Sequence, residues 1–335
     1  MNSGNQKADS NWLRGLVREG FLESQNFQKS EKLAGLNPAS HDWVHFINYY
    51  LLSLGAGLFI VGVIFFFAYN WKDLHKFAKL GIVQFLFLSF FSIAFIKGRE
   101  SAVGKISLFL SSVVIGIYFA VFGQIYQTGA DAYELFLIWT ILVTVFAVLG
   151  KDENLLFFWV FLINLTLTLF WSQRIQPSYD SDIRLIELLF VLNVVSFAFW
   201  EYSFNKKKFA ISRRWASVIF ALASIFCISI ATLAFILENP ERMDGIYRGY
   251  YYAAPVIYLA FFVALFYYII FISPDLFLAA MSFLSFIVII TVGISKFMKL
   301  DSHDFLFLSA FVMTEAAISV VLLKKIHSYS NSGQK

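Results

Sequence analysis

The chain is predicted to be an all-α integral membrane protein of about ten transmembrane helices, preceded by a short cytoplasmic helical hairpin. Three observations predict this. Of 335 residues, 59% are hydrophobic and 14% charged, whereas about a quarter of the residues of a soluble domain carry charge. The apolar residues are gathered into long runs almost free of Asp, Glu, Lys and Arg, each near the about 20 residues a helix needs to cross hydrocarbon. The runs are divided by short charged or Pro-containing turns. So many spans leave no length for a large soluble domain. The single Cys, Cys227, lies inside an apolar run, which excludes a disulfide framework or a Cys-based metal cluster. A net charge of +4 spread over the loops is too small for nucleic acid, and no nucleic-acid partner is expected.

Residues 1–49 are broken by charges and hold no uninterrupted apolar core, so they read as a cytoplasmic segment rather than a secretory signal peptide. Within them "NWLRGLVREG" and "SQNFQKSEKLAGLNP" form two short helices, ended by Gly20 and by Gly35-Leu36-Asn37-Pro38. Leu13, Leu16, Val17, Phe27 and Leu33 are their expected buried contacts. The spans follow at 50–69, 80–96, 106–122, 135–150, 155–171, 185–202, 215–237, 250–273, 276–295 and 305–323. Ser273-Pro274-Asp275 divides the eighth from the ninth, because Pro lacks the amide a continuing helix needs and Asp is costly in lipid. The expected organisation is therefore 1–49 as the cytoplasmic segment, 50–171 as spans one to five, 172–323 as spans six to ten, and 324–335 as a cytoplasmic tail.

The amino terminus, the loops after the even-numbered spans and the tail carry more Lys and Arg than the other loops. Cytoplasmic loops are enriched in these residues, so both termini are expected inside. The basic loop "NKKKFAISRR" is the clearest anchor, with Lys206, Lys207, Lys208, Arg213 and Arg214 expected at anionic lipid headgroups.

On the opposite face falls "GQIYQTGADAYELFLIW", between spans three and four and without a Lys or Arg of its own. Asp131-x-x-Glu134 has capping-box spacing, so Asp131 should accept the amide of residue 134 while Glu134 reaches back. Capping leaves Gly123, Gln124, Tyr126, Gln127, Thr128 and Gly129 unexplained. Such polar backbone is tolerated at membrane depth only where it packs on protein or lines a wet cavity. A partly embedded turn and a surface loop both remain open. "AYNWKDLHK" lies on the same face, with Asn70 suited to ending a helix and Trp71 to the headgroup level.

In these stretches the chain resembles bacterial membrane proteins of the domain-of-unknown-function family 2157. The order "LVREGFLE", "LGAGLFIVGVIFFFAYNWKDLHKFAKLG", "VFGQIYQTGADAYELFLIW" and "LLFFWVFLINLTLTLF" carries the resemblance, over about residues 12–171. It implies an integral protein of the bacterial cytoplasmic (inner) membrane and brings no activity, substrate or cofactor. Asn70, Trp71, Gly123, Gln124, Tyr126, Gln127, Gly129, Ala130, Asp131, Glu134 and Trp139 carry over as signature positions.

Enzyme chemistry has little footing. The five His form no HExxH motif, no phosphate-binding Gly-rich loop appears, and neither cofactor nor metal is expected. His41 and His45 have helical spacing, but beside Trp43 at an interface two solvated side chains are the plainer reading. Glu315, near the middle of the last run, is the candidate intramembrane carboxyl: it is costly in lipid unless neutral, paired or wet. Its small neighbours Thr314, Ala316 and Ala317 would admit another helix. Gln84, Asn164 and Asn193 are expected to hydrogen-bond between helices, and the pairs Ser53/Gly57 and Gly116/Ala120 to pack. Two readings follow. One is a carrier of a small solute or proton-coupled substrate, with Asn70, Trp71, Gln124, Tyr126, Gln127, Asp131 and Glu134 at its outer mouth and Glu315 as relay. The other is a non-transporting envelope sensor or membrane assembly and scaffold protein that signals through the amino-terminal hairpin.

Overall fold

A computed structural model describes residues 10–33, 43–48, 71–98, 100–127, 129–175, 179–206, 211–237, 245–296, 298 and 302–332, with isolated helical positions between 50 and 65. Met1–His75 and Lys76–Lys335 form two compact units, taken in turn.

In the first unit, α1 (Ser10–Arg18) is followed by a 3-10 turn (Ser24–Asn26) and α2 (Phe27–Leu33), which packs back on α1. Gly20 adopts φ 80°, and Phe21 N–H donates to the Leu16 carbonyl at 2.9 Å, a left-handed stop that only Gly adopts without steric cost. Leu13 is buried, while Leu16, Val17 and Phe27 are half-buried. Leu33 departs from expectation: it is 81% exposed at the last position of α2, where no further turn of that helix covers it. The expected breaker at 35–38, His41, Asn70, Ser53, Gly57 and most of the first span lie outside the described residues.

The second unit holds nine helices long and apolar enough to cross a membrane among the described residues, one for each remaining predicted span. They are α3 (Lys76–Lys97), α4 (Ala102–Tyr126), α5 (Ala132–Gly150), α6 (Glu153–Arg174), α7 (Tyr179–Asn205), α8 (Trp215–Leu237), α9 (Gly245–Tyr267), α10 (Leu276–Ser295) and α11 (Ser302–Ser332). The π turn Tyr268–Ile272 closes α9. The break at Ser273-Pro274-Asp275 falls where the sequence puts it.

Short turns make the helices alternate in direction, and α3 with α4, α5 with α6, and α7 with α8 form the most extensive hairpins. Three turns at one end of the bundle are closed by side-chain caps. Ser101 Oγ accepts from Gly104 N–H at 2.9 Å, Asp152 Oδ1 from Asn154 and Leu155, and Asp275 Oδ1 from Phe277 and Leu278. Asp152 is 4% exposed, so Asp152→Ala should lose about 1 kcal/mol, read as a lower midpoint of thermal unfolding. An unchanged midpoint would show that the cap contributes nothing.

Small residues set the packing. Ala216, Ser217, Ala221, Ser224 and Ala231 of α8 are fully buried, letting α7, α9 and α10 approach it closely. Around that axis Phe190, Ile228, Phe262, Ile269 and Leu278 form the largest core. A second core joins Val160 of α6 to Trp200, Ala216 and Phe220, and a third holds Val143, Ala147, Leu155 and Leu162 between α5 and α6. The Gly116 expectation has a specific form: a Cβ there would lie 2.4 Å from the Trp139 ring, whose Nε1–H donates to the Ser112 carbonyl at 2.8 Å.

Candidate functional sites in the bundle

At the end of α4, Gln127 and Gly129 take positive φ (44° and 65°), and this tight reversal delivers Asp131 to the start of α5. Gln124, Tyr126, Gln127, Gly129 and Ala130 are exposed, so the turn is not packed within protein. Trp71 stands in a 3-10 turn (Trp71–Asp73) of the other unit.

The expected capping box is not formed. Asp131 has the extended backbone of an N-cap, but its side chain makes no cap bond; Glu134 N–H donates to the Asp131 backbone carbonyl at 3.1 Å. Arg174, the last residue of α6, takes both carboxylates instead, at 3.3 Å from Asp131 Oδ2 and 3.1 Å from Glu134 Oε1. In a pair with a guanidinium both partners are charged, whereas in a cap only the carboxylate is. Its Nε–H donates to Tyr133 Oη at 3.1 Å, and the guanidinium lies 5.2 Å from that ring's centre. Gln173 Oε1 accepts from Tyr133 N–H at 2.9 Å, so α6 also caps α5. This is a partly exposed acidic pair answered by one cation, with the geometry of a latch between two helix ends.

Glu315 sits on the face of α11 that meets α10. Thr291 Oγ1 donates to its Oε2 at 3.2 Å, and Ser319 Oγ to its backbone carbonyl at 2.8 Å. Thr314, Ala316 and Ala317 are exposed, on the far side from α10, so the close helix approach expected at those small residues is not made among the described residues. The structure does not unite Glu315 with the outer motif: α11 packs mainly on α10 and the π turn, and α5 on α4 and α6.

A third site escaped the sequence reading. Glu201, 5% exposed near the end of α7, pairs with Arg214, whose Nε–H lies 2.9 Å from Oε1. Ser217 donates to the same oxygen at 2.6 Å, and Tyr268 donates to Oε2. A second Arg214 nitrogen donates to Tyr268 Oη at 2.9 Å. The π turn is the local cause: Ser273 N–H reaches back five residues to the Tyr268 carbonyl, widening the last turn and aiming the phenol at Glu201. The loop before α8 is pinned as well. Glu153 Oε2 accepts from the Ser212 and Arg213 amides at 2.9 and 3.2 Å, and Trp200 Nε1–H donates to the Arg213 carbonyl. Arg214, expected at lipid headgroups, thus points inward to Glu201, because a buried carboxylate needs a cation more than the surface does. Lys207 and Lys208 lie outside the described residues. The available signal was a carboxyl, Glu201, inside an apolar run.

Between the ends, polar side chains pair across helices: Thr140 with Thr166 at 3.0 Å, Ser285 with Ser229 and Tyr258 at 2.7 and 2.9 Å, and Asn193 with Asn164 at 2.9 Å. The last joins two of the three amides expected to hydrogen-bond between helices. Ser203 Oγ, Glu187 Oε1 and Trp171 Nε1 are buried without a hydrogen-bond partner among the described residues.

Against known protein families, the model described as "Predicted membrane protein (DUF2157)" matches residues 14–157. Those residues are similar to that family, and 14–157 is called the DUF2157 segment below. Comparison with curated proteins and with solved structures returned no match. The DUF2157 segment runs from α1 into the first turns of α6 and contains Gly116, Asp131, Glu134 and Trp139. Arg174, which closes the acidic pair, and the Glu201 and Glu315 sites lie beyond it. The chain is a multi-pass membrane protein, and the family description assigns it no activity.

Proposed function

We propose that the protein carries a small solute across the bacterial cytoplasmic membrane, with both termini inside and Glu315 as a protonatable relay. The observation that carries the reading is a carboxyl near the middle of α11, half-buried against Thr291, in a helix whose apolar window has no buried residue. An ionisable group at that depth is retained at a cost and is a functional candidate by default. The motif at 123–139 forms the outer mouth, closed by Arg174. The Lys and Arg content of the connections supports the orientation, with Lys206, Lys207, Lys208 and Arg213 supplying headgroup contacts. Glu315→Gln and Asp131→Asn should reach the membrane at wild-type levels and fail to complement a deletion strain. Full complementation by both would end the carrier reading.

A second reading, an envelope sensor or assembly protein, is favoured by the extent of the DUF2157 segment. It joins the amino-terminal hairpin to the outer motif and stops before Glu315. Removing residues 1–40 separates the two: a sensor loses function outright, whereas a carrier keeps transport and loses regulation or stability.

A further inference from the structure

Two apolar clefts lie end to end along the seam between α3, α4 and α5. One, of 440 Å³, is lined by Phe91, Ala94, Leu108, Phe146 and Leu149, with Gly98, Gly104 and Gly150 at the end where the helices turn. The other, of 350 Å³, continues from Phe146 past Phe87 and Tyr118 to Gln84. From Gly98 to Gln84 the seam follows α3 for about 21 Å at about 1.5 Å per residue, more than the roughly 15 Å of one leaflet's hydrocarbon. The cleft floor is close-packed: a Cβ on Gly104 would meet the Gly98 carbonyl oxygen at 1.9 Å, and one on Gly150 would meet the Leu108 side chain at 2.8 Å.

Charge gathers at that floor. Lys97 ends α3, Lys105 is in the first turn of α4, and Lys151 follows α5, each next to a lining glycine. None of the three has a carboxylate partner among the described residues. Three carboxylates share that end and keep their charge: Asp152 is buried and caps α6, Glu153 accepts from the Ser212 and Arg213 amides, and Glu100 lies in the α3–α4 turn.

We propose that this seam binds an anionic phospholipid, with one acyl chain in the cleft and the phosphate at Lys97, Lys105 and Lys151. Apolar lining alone would accept any lipid chain; the three lysines at one end select for negative charge. The site rests on neither the carrier reading nor the orientation, since it needs only a lipid bilayer around the bundle.

The test is native mass spectrometry of the full-length protein released from detergent, titrated with dioleoylphosphatidylglycerol or dioleoylphosphatidylcholine. The wild type should hold the anionic lipid more tightly. Each Lys→Gln change should weaken it by about fivefold, and K97Q/K105Q/K151Q should bind the two lipids alike. Ala94→Trp, which fills the cleft, should lower occupancy by both lipids. Lys97 and Lys151 are exposed and Lys105 half-buried, so loss of preference without loss of the folded charge-state distribution supports the site. Equal binding of both lipids by the wild type, or a preference that survives the triple substitution, overturns it. So does a lipid-free dimer that Ala94→Trp dissociates, which would mean that a second copy covers the seam.

Discussion

Arg214→Ala should be the most destabilising single change in the bundle, at about 3–5 kcal/mol, seen as a large fall in the midpoint of thermal unfolding in detergent. The guanidinium is 23% exposed and its partner carboxylate 7% exposed, so the alanine leaves Glu201 charged, desolvated and without its cation. Ser217 and Tyr268 still donate to that carboxylate, but neutral hydroxyls do not replace a full positive charge. Arg214→Lys should recover part of the loss only, because one ammonium cannot present the fork that reaches Glu201 and Tyr268 together. The double change Glu201→Gln with Arg214→Met should be more stable than Arg214→Ala alone, since it removes the uncompensated charge together with its partner. An Arg214→Ala midpoint equal to the wild type's would show that Glu201 is neutral or wetted in the folded protein, and the cluster would then lose its structural role.

The helices were legible in the sequence because lipid imposes a rule that depends on composition alone: backbone must pair within each span and charge must leave it. Ser273-Pro274-Asp275 shows this, since both the stop of α9 and the Asp275 cap of α10 are local. That Asn164 and Asn193 would bond between helices was legible for a related reason, as amides within spans have few other partners, though their pairing with each other was not. The charged sites were not. Asp131 and Glu134 have the spacing of a capping box, yet the cation that claims them is 40 residues further on, and local spacing carries no information about that competitor. Glu201 reads as the frayed end of a span until the π turn brings Tyr268 to it from 67 residues away. Leu33 was misplaced for the opposite reason: periodicity assigns it to the apolar face of α2, but it is that helix's last residue and stands exposed.

Gly104→Ala should be nearly as damaging, and for steric rather than electrostatic reasons. A Cβ at that position would stand 1.9 Å from the Gly98 carbonyl oxygen and 2.9 Å from Ser101 Oγ. The first contact is with backbone, so no rotamer change relieves it, and α3 and α4 must part at their shared turn. The Ser101 cap on Gly104 N–H would be lost with it. Overpacking of this kind costs about 1–3 kcal/mol, and the missing cap about 1 kcal/mol more. Gly116→Ala should fall lower in that range, because its obstacle is the Trp139 ring, which can swing aside by giving up its bond to Ser112. Gly81→Ala is the matched control: nothing lies within 4 Å of its Cβ, and alanine favours a helix over glycine by about 1 kcal/mol. Unfolding midpoints ordered Gly81→Ala, then Gly116→Ala, then Gly104→Ala from highest to lowest would place the closest helix contact of the DUF2157 segment at the α3–α4 turn. A Gly104→Ala midpoint equal to that of Gly81→Ala would mean that the turn is looser than the 1.9 Å approach requires, and that the lysines beside it are not held in register.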